Sequence, residues 1–284
     1  MAESDQACCE VEVAPLPRSR RLIVWSSLAI ASLLAWLYLL WMPMSVADLG
    51  AAGALFRPLP SSWANAILLF MMWAIMMVAM MLPSASPVIA AYARGAGRRS
   101  AAGGAIASFT AGYLAVWTIF SLIATMVQAA LHGRGILSAR GTLRPTVGGA
   151  VLIAAALYQF TPLKRSCLTG CRSPMRFVTS ERRRDGEIAF VTGFRHGLSC
   201  LGCCWMIMAL LFVFGVMNVA WAAALSILVL LEKVLPAGRL VARVSGVAMF
   251  AAGIALMLQV SSASARPTRH VGYHLHDRPL DSRH

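Results

Sequence analysis

Charged residues are scarce in this sequence: they make up 13% of its 284 residues, and only 11 residues are acidic. Soluble domains carry about 25% charged residues, so this scarcity excludes an ordinary soluble globular protein. No polar stretch is long enough to form a separate soluble domain. Hydrophobic residues instead reach 59%. The composition therefore predicts an all-α fold, a polytopic transmembrane bundle of about six or seven helices.

Seven apolar runs are the expected helices, and several of them end at a proline. They are residues 22–42, 63–82, 105–131, 147–160, 197–216, 219–235 and 240–260. Pro43, Pro83 and Pro236 are expected to end three of them, because proline cannot continue a helix without losing a hydrogen bond. Only Met217 and Asn218 separate the fifth helix from the sixth, so this pair is either two spans or one re-entrant unit.

Polar tails flank the predicted bundle of residues 21–260. Residues 1–20 are expected to be a disordered cytoplasmic tail. They do not resemble a signal peptide, because the apolar run starts late, at Leu22, and is too long. Residues 261–284 carry four histidines, which are weak metal ligands when no ordered scaffold holds them.

The basic residues indicate an orientation. The net charge is +14, but its lysines and arginines lie in short segments between apolar runs. Nucleic-acid-binding proteins gather such residues on one face, so we expect no nucleic-acid partner. Most of the 25 lysines and arginines fall on one side when the N-terminus is cytoplasmic. The positive-inside rule therefore favours an N-terminus in the cytoplasm.

Five of the seven cysteines form two tight groups. Cys167 and Cys171 form the first group, and Cys200, Cys203 and Cys204 form the second. Residues three and four apart share a helix face, so the thiols of each group point the same way. Both groups are expected at the cytoplasmic ends of their helices, where they can meet without crossing the bilayer.

The chemistry of these thiols favours a metal site over a disulfide framework, which belongs to small secreted chains. Thiolates are soft ligands that select Cu(I), zinc or an iron–sulfur cluster. Basic neighbours favour the thiolate form. Copper as Cu(I) is the preferred metal and zinc is the alternative. Buried free cysteines also serve as small packing residues, which is the competing interpretation.

Methionine repeats along the second predicted helix. Met72, Met76 and Met80 are four residues apart, and Met77 and Met81 form an adjoining stripe. Thioethers bind Cu(I) and discriminate against zinc. Methionine also packs readily in apolar cores, so the stripe is either a copper path or ordinary packing.

Three further residues are candidates for the site. Glu232 and Lys233 lie near the end of the sixth predicted helix, where charge is costly and often functional. Glu232 is expected to take up a proton on metal release, to pair with Arg195, or to form a helix-end ion pair with a snorkelling Lys233. His196 precedes the fifth predicted helix and is a candidate metal ligand.

Several separated motifs occur in order along residues 64–258. They run from Trp73 to Pro83, from Tyr158 to Pro174, from Gly193 to Met208, from Gly215 to Asn218, and through Glu232-Lys233. In these motifs the chain resembles a bacterial family of predicted metal-binding integral membrane proteins, the domain of unknown function 2182. The resemblance implies a metal-binding protein of the bacterial inner membrane, in contact with the lipid bilayer.

Two functional hypotheses follow. In the first, the chain is a non-enzymatic membrane protein that binds Cu(I) and transports it, or delivers it to a copper chaperone or to a copper enzyme under assembly. In the second, it is a membrane thiol–disulfide oxidoreductase that uses Cys200 and Cys203, whose CxxC spacing is typical of redox pairs. Disulfides are rarely maintained in the cytoplasm, and Cys204 breaks the two-thiol pattern, so the first hypothesis is preferred. The oligomeric state is not predicted.

Overall fold

The computed structural model describes residues 18–48, 63–95, 102–138, 141–172 and 189–264. These residues form nine helices: α1 Arg18–Asp48, α2 Trp63–Gly95, α3 Ala102–Gly133, α4 Pro145–Gln159, α5 Pro162–Arg172, α6 Ala189–Ala209, α7 Leu211–Phe214, α8 Val219–Val234 and α9 Gly238–Ser264. The predicted all-α helical bundle is confirmed. Almost all of both predicted tails, including the four tail histidines, lies outside the described residues.

Five stretches in the described part of the chain are long and apolar enough to cross a membrane. They are Arg21–Trp41, Trp63–Arg94, Gly103–Gly133, Ala189–Phe214 and Gly238–Ser261. The pair of α4 and α5 passes the same test jointly, with a bend of 64° at its junction. With 16 residues, α8 is about 24 Å long, short of a hydrocarbon core of about 30 Å. The helix predicted at 219–235 is therefore present, but it is too short for a seventh full span.

The second helix was predicted to end at Pro83, but it continues to Gly95. Proline has no N–H, so the carbonyl four residues earlier loses its partner within the helix. That carbonyl, of Ala79, accepts hydrogen bonds from the indole of Trp36 at 3.1 Å and the hydroxyl of Ser32 at 3.3 Å, both from α1. Hydrogen bonds from α1 thus satisfy the Ala79 carbonyl that Pro83 leaves without a partner in α2.

Two other boundaries differ from the prediction. Helix α1 continues through Pro43 to Asp48. Helix α6 begins at Ala189 instead of Gly197, so the second cysteine group lies in the middle of a helix and not at its end. Helix α7 ends at Phe214 and is followed by Gly215, whose φ of +100° favours glycine.

Glycines allow α6 to pack closely against α3. A Cβ on Gly193 would collide with the backbone carbonyl of Phe109, and a Cβ on Gly112 would collide with that of Phe190. The two backbones therefore approach directly, as small residues permit between membrane helices. This contact places the middle of α6 beside Tyr113 of α3.

Candidate metal centre

The two cysteine groups meet where α5 packs against the middle of α6. Cys171, Cys200, Cys203 and Cys204 are buried, and together we term them the thiol cluster. Cys167 is half-buried beside them, and all five thiols are free. The Sγ atoms of Cys171 and Cys203 are 3.9 Å apart. The two groups come together as expected, while their role as metal ligands stays a prediction.

Helix α5, which was not predicted, carries the first group to the second. Pro162 occupies the first position of α5, where proline is favoured, and the Thr161 hydroxyl accepts a hydrogen bond from the Lys164 N–H at 3.3 Å. At the other end, the Arg172 guanidinium donates to the carbonyl of Pro236 at 2.8 Å. The sharp bend after α4 and this anchor hold α5 across the cysteines of α6.

Gly202 allows the closest approach of α5 to α6. A Cβ at this position would lie 2.7 Å from Sγ of Cys167, which is shorter than a van der Waals contact. The carbonyl of Gly202 also accepts a hydrogen bond from the hydroxyl of Tyr158. A glycine within the cysteine motif therefore makes room for the sulfur of the other group.

Polar groups from two other helices, Lys233 of α8 and Tyr113 of α3, contact the sulfur of Cys200. Nζ of Lys233 lies 2.9 Å from its Sγ and 3.0 Å from the hydroxyl of Ser84. The hydroxyl of Tyr113 lies 3.1 Å from the same Sγ and 3.1 Å from the carbonyl of Met81. An ammonium beside a sulfur stabilises the thiolate, which is the form that binds metals. Lys233 is buried and directed at the sulfur, so the alternative of a snorkelling helix-end lysine is wrong.

Glu232 belongs to a different network from its neighbour Lys233. Its salt bridge is made with Lys164, at 2.7 Å between Nζ and Oε2, whereas the sequence indicated Arg195 or Lys233. Nε2 of Gln159 also donates to Glu232 at 3.1 Å. Lys164 was not predicted as a buried partner of Glu232. The available signal was its position three residues before Cys167, on the same face of α5.

The predicted methionine stripe lies inside the bundle. Met72, Met76 and Met80 are all buried, as both a copper path and ordinary packing require. The methionine in contact with the thiol cluster belongs to the adjoining stripe: Sδ of Met81 lies 3.9 Å from Sγ of Cys204. The adjoining stripe therefore reaches the cysteines, and the role of Met72, Met76 and Met80 in copper binding remains a prediction.

His196 is buried one helical turn before Cys200 and shares its face of α6. Its ring stacks on Tyr113, with centroids 5.6 Å apart, and on Phe109, with centroids 6.1 Å apart. The imidazole thus lies beside the thiol cluster and packs against two aromatic rings. Its role as a metal ligand stays a prediction.

The spacing of the thiols can be compared with that of a metal site. Within the described ranges, no three His, Cys, Asp or Glu side chains converge as a ready-made metal site. Two thiolates on a tetrahedral ion with bonds of 2.3 Å are about 3.8 Å apart, close to the 3.9 Å between Cys171 and Cys203. The thiols of Cys203 and Cys204 instead donate to the carbonyl of Cys200, at 3.1 and 2.8 Å. One pair thus has the spacing of ligands, and the donor set is that of a soft metal.

The fold and the cluster define an all-helical protein with buried thiols at a helix contact. The family model PpoB2, described as copper chaperone, matches residues 70–256, which is more than half of the chain. The chain therefore belongs to this copper chaperone family, and its function is related to copper. Comparison with curated proteins and with solved structures gave no significant match.

Proposed function

We propose that this chain is a multi-pass membrane copper chaperone that binds Cu(I) in the thiol cluster and delivers it to a copper protein. The observation that carries the proposal is the burial of four thiols at one helix contact in a member of a copper chaperone family. Thiolates are the ligands that select Cu(I). The protein acts by binding and transfer, without catalysis of its own.

Cys171 and Cys203 already have a spacing that one ion can bridge, and rotation of the Cys200 and Cys204 side chains adds further sulfurs. Two thiolates and one Cu(I) carry a net charge of −1, and an uncompensated buried charge is costly. The Lys233 ammonium, 2.9 Å from Sγ of Cys200, balances that charge. A buried cation beside the sulfurs therefore suits a metal that needs few ligands.

The half-buried Cys167 supports transfer to a partner. Its sulfur lies beside Gly202 at the edge of the buried cluster. Copper moves between proteins by exchange of one thiolate for another, so an outer sulfur can take the ion first or release it last. On the other side, Sδ of Met81 lies 3.9 Å from Sγ of Cys204. The buried Met72, Met76 and Met80 on the same helix would supply further neutral thioethers for a copper path.

The outer surface of the helices supports a location in the membrane. Large apolar side chains on α1 and α9 are exposed, including Leu34 at 60% and Leu258 at 64%. Water does not favour such faces, whereas lipid does. We place the protein in the bacterial inner membrane with its N-terminus in the cytoplasm, in accordance with the positive-inside rule.

One observation favours a second candidate, a thiol–disulfide oxidoreductase. The 3.9 Å between Cys171 and Cys203 needs only a small movement to reach the S–S length of about 2.05 Å. This pair joins α5 to α6 and is not the Cys200–Cys203 pair that the sequence indicated.

Metal loading tests the proposal. The full-length protein, purified anaerobically in mild detergent, is titrated with Cu(I) against a colorimetric Cu(I) chelator. We expect one Cu(I) per chain. The Cys171→Ser/Cys203→Ser variant should lose at least about tenfold in affinity, since the ligand shell is then incomplete. Cys8→Ser/Cys9→Ser makes the same chemical change in the N-terminal tail and should bind as the parent does.

Two outcomes would count against copper binding at this site. Unchanged Cu(I) affinity in Cys171→Ser/Cys203→Ser would refute Cu(I) binding by the thiol cluster. A protein that takes up no copper but forms a reversible Cys171–Cys203 disulfide, identified by peptide mapping, would establish the oxidoreductase instead.

A further inference from the structure

A cleft lined by three arginines lies where α4 meets α5 and α9 begins. Arg165 comes from α5, and Arg239 and Arg243 come from the first two turns of α9. All three side chains are exposed. Gln159 and Lys164 also line this basic cleft and are buried. Residues far apart in the sequence thus bring three guanidinium groups to one opening with a polar interior.

Within the described ranges, no free acidic side chain lines the basic cleft. The Lys164 ammonium is paired with Glu232 at 2.7 Å, so that carboxylate is already engaged. No acidic residue is among those that line the cleft in the described chain. One guanidinium N–H of Arg165 donates to the carbonyl of Phe160 at 2.7 Å, which anchors this arginine and leaves its other donors available. The basic cleft therefore favours binding of an anion, and the guanidinium group of arginine matches the geometry of phosphate.

The interior of the basic cleft adds a buried acceptor. Nε2 of Gln159 donates to Glu232 at 3.1 Å and to Ser245 at 2.9 Å. Its Oε1 is buried, and within the described residues it has no hydrogen-bond partner. Buried carbonyl oxygens are nearly always hydrogen-bonded. A ligand that brings a hydroxyl group along with its phosphate would satisfy this oxygen.

We propose that the basic cleft binds a phosphate group with a hydroxyl-bearing substituent, as in the glycerol phosphate headgroup of an anionic phospholipid. The apolar stretch Gly238–Ser261 begins at the cleft, so Arg239 and Arg243 lie where a headgroup layer would meet α9. Basic pockets between helices bind lipid headgroups in this way. The placement rests on the membrane location proposed above, but it is independent of copper.

The test measures lipid binding by the full-length protein in mild detergent, by titration with short-chain phosphatidylglycerol, short-chain phosphatidylcholine and inorganic phosphate. We expect phosphatidylglycerol to bind at least about tenfold more tightly than phosphatidylcholine. Arg239→Gln/Arg243→Gln should remove that preference. Arg134→Gln/Arg144→Gln removes the same charge from exposed arginines before α4, at its opposite end, and should keep the preference.

The outcomes separate the sources of the anion. Displacement of phosphatidylglycerol by inorganic phosphate at similar concentration would support the site and assign it to free phosphate. Equal binding of the two lipids by the parent protein, or equal loss in both double variants, would overturn the proposal. Should Arg239→Gln/Arg243→Gln fail to fold, the single variant Arg243→Gln is expected to lose about fivefold. Cu(I) stoichiometry is unchanged in every arm, so a failure here is distinct from a failure of the copper site.

Discussion

Replacing Glu232 with glutamine keeps the shape of the side chain but removes the charge opposite Lys164. The two charged groups are 2.7 Å apart, and their side chains are only 2% and 1% exposed, so water cannot take the place of the lost partner. Breaking a buried pair from one side costs about 3–5 kcal/mol, because the remaining ammonium stays buried without a counter-charge. The folding equilibrium constant should therefore fall by roughly two to four powers of ten.

A double variant distinguishes the destabilisation caused by an unpaired buried charge from the net contribution of the ion pair to stability. Lys164→Met/Glu232→Leu replaces both charges with apolar side chains, a change that is often neutral for buried pairs. Gln159 loses its carboxylate acceptor but keeps Ser245 as a partner at 2.9 Å. We expect the double variant to remain within about 2 kcal/mol of the parent.

The assay is reversible unfolding of the purified protein in mixed micelles with an increasing fraction of denaturing detergent. Circular dichroism reports the helical content, and the parent and both variants are compared in the same micelle. A Glu232→Gln protein within about 1 kcal/mol of the parent would refute the reasoning. So would a double variant as unstable as the single one, because the destabilisation would then not arise from an unpaired Lys164.

Two further predictions concern the sulfurs. Gly202→Ala places a Cβ 2.7 Å from Sγ of Cys167 and should push that side chain outwards; its alkylation by a thiol reagent should accelerate, and an unchanged rate would contradict the close contact. Replacing Met72, Met76 and Met80 with leucine keeps volume and apolarity at a cost of under about 1.5 kcal/mol for each swap. Copper delivery at matched membrane abundance should then fall, and undiminished delivery would assign the stripe to packing alone.

Sequence reasoning was most effective where a property is local. The scarcity of charge and the length of the apolar runs predicted an all-helical bundle, because a helix satisfies its own backbone groups without partners. The spacing of Cys200, Cys203 and Cys204 placed them on one helix face, since 3.6 residues make a turn. These properties depend only on neighbours in the chain.

Prolines show where local reasoning ends. Proline normally stops a helix, so the second helix was predicted to end at Pro83. The structure continues α2 because Ser32 and Trp36, on another helix, donate to the carbonyl that the proline leaves free. Whether a proline ends a helix thus depends on partners that are remote in sequence.

What the sequence alone determined is the helical class, the facial grouping of the thiols and the soft-metal chemistry that they share. Only the tertiary structure decided that Lys164 neutralises Glu232, that Lys233 faces Cys200, and that the sulfurs of Cys171 and Cys203 stand 3.9 Å apart. The physical reason is that helix periodicity is set by bonds between near neighbours. Burial and charge pairing depend on which helices pack together, and close contacts such as that at Gly202 set their separation.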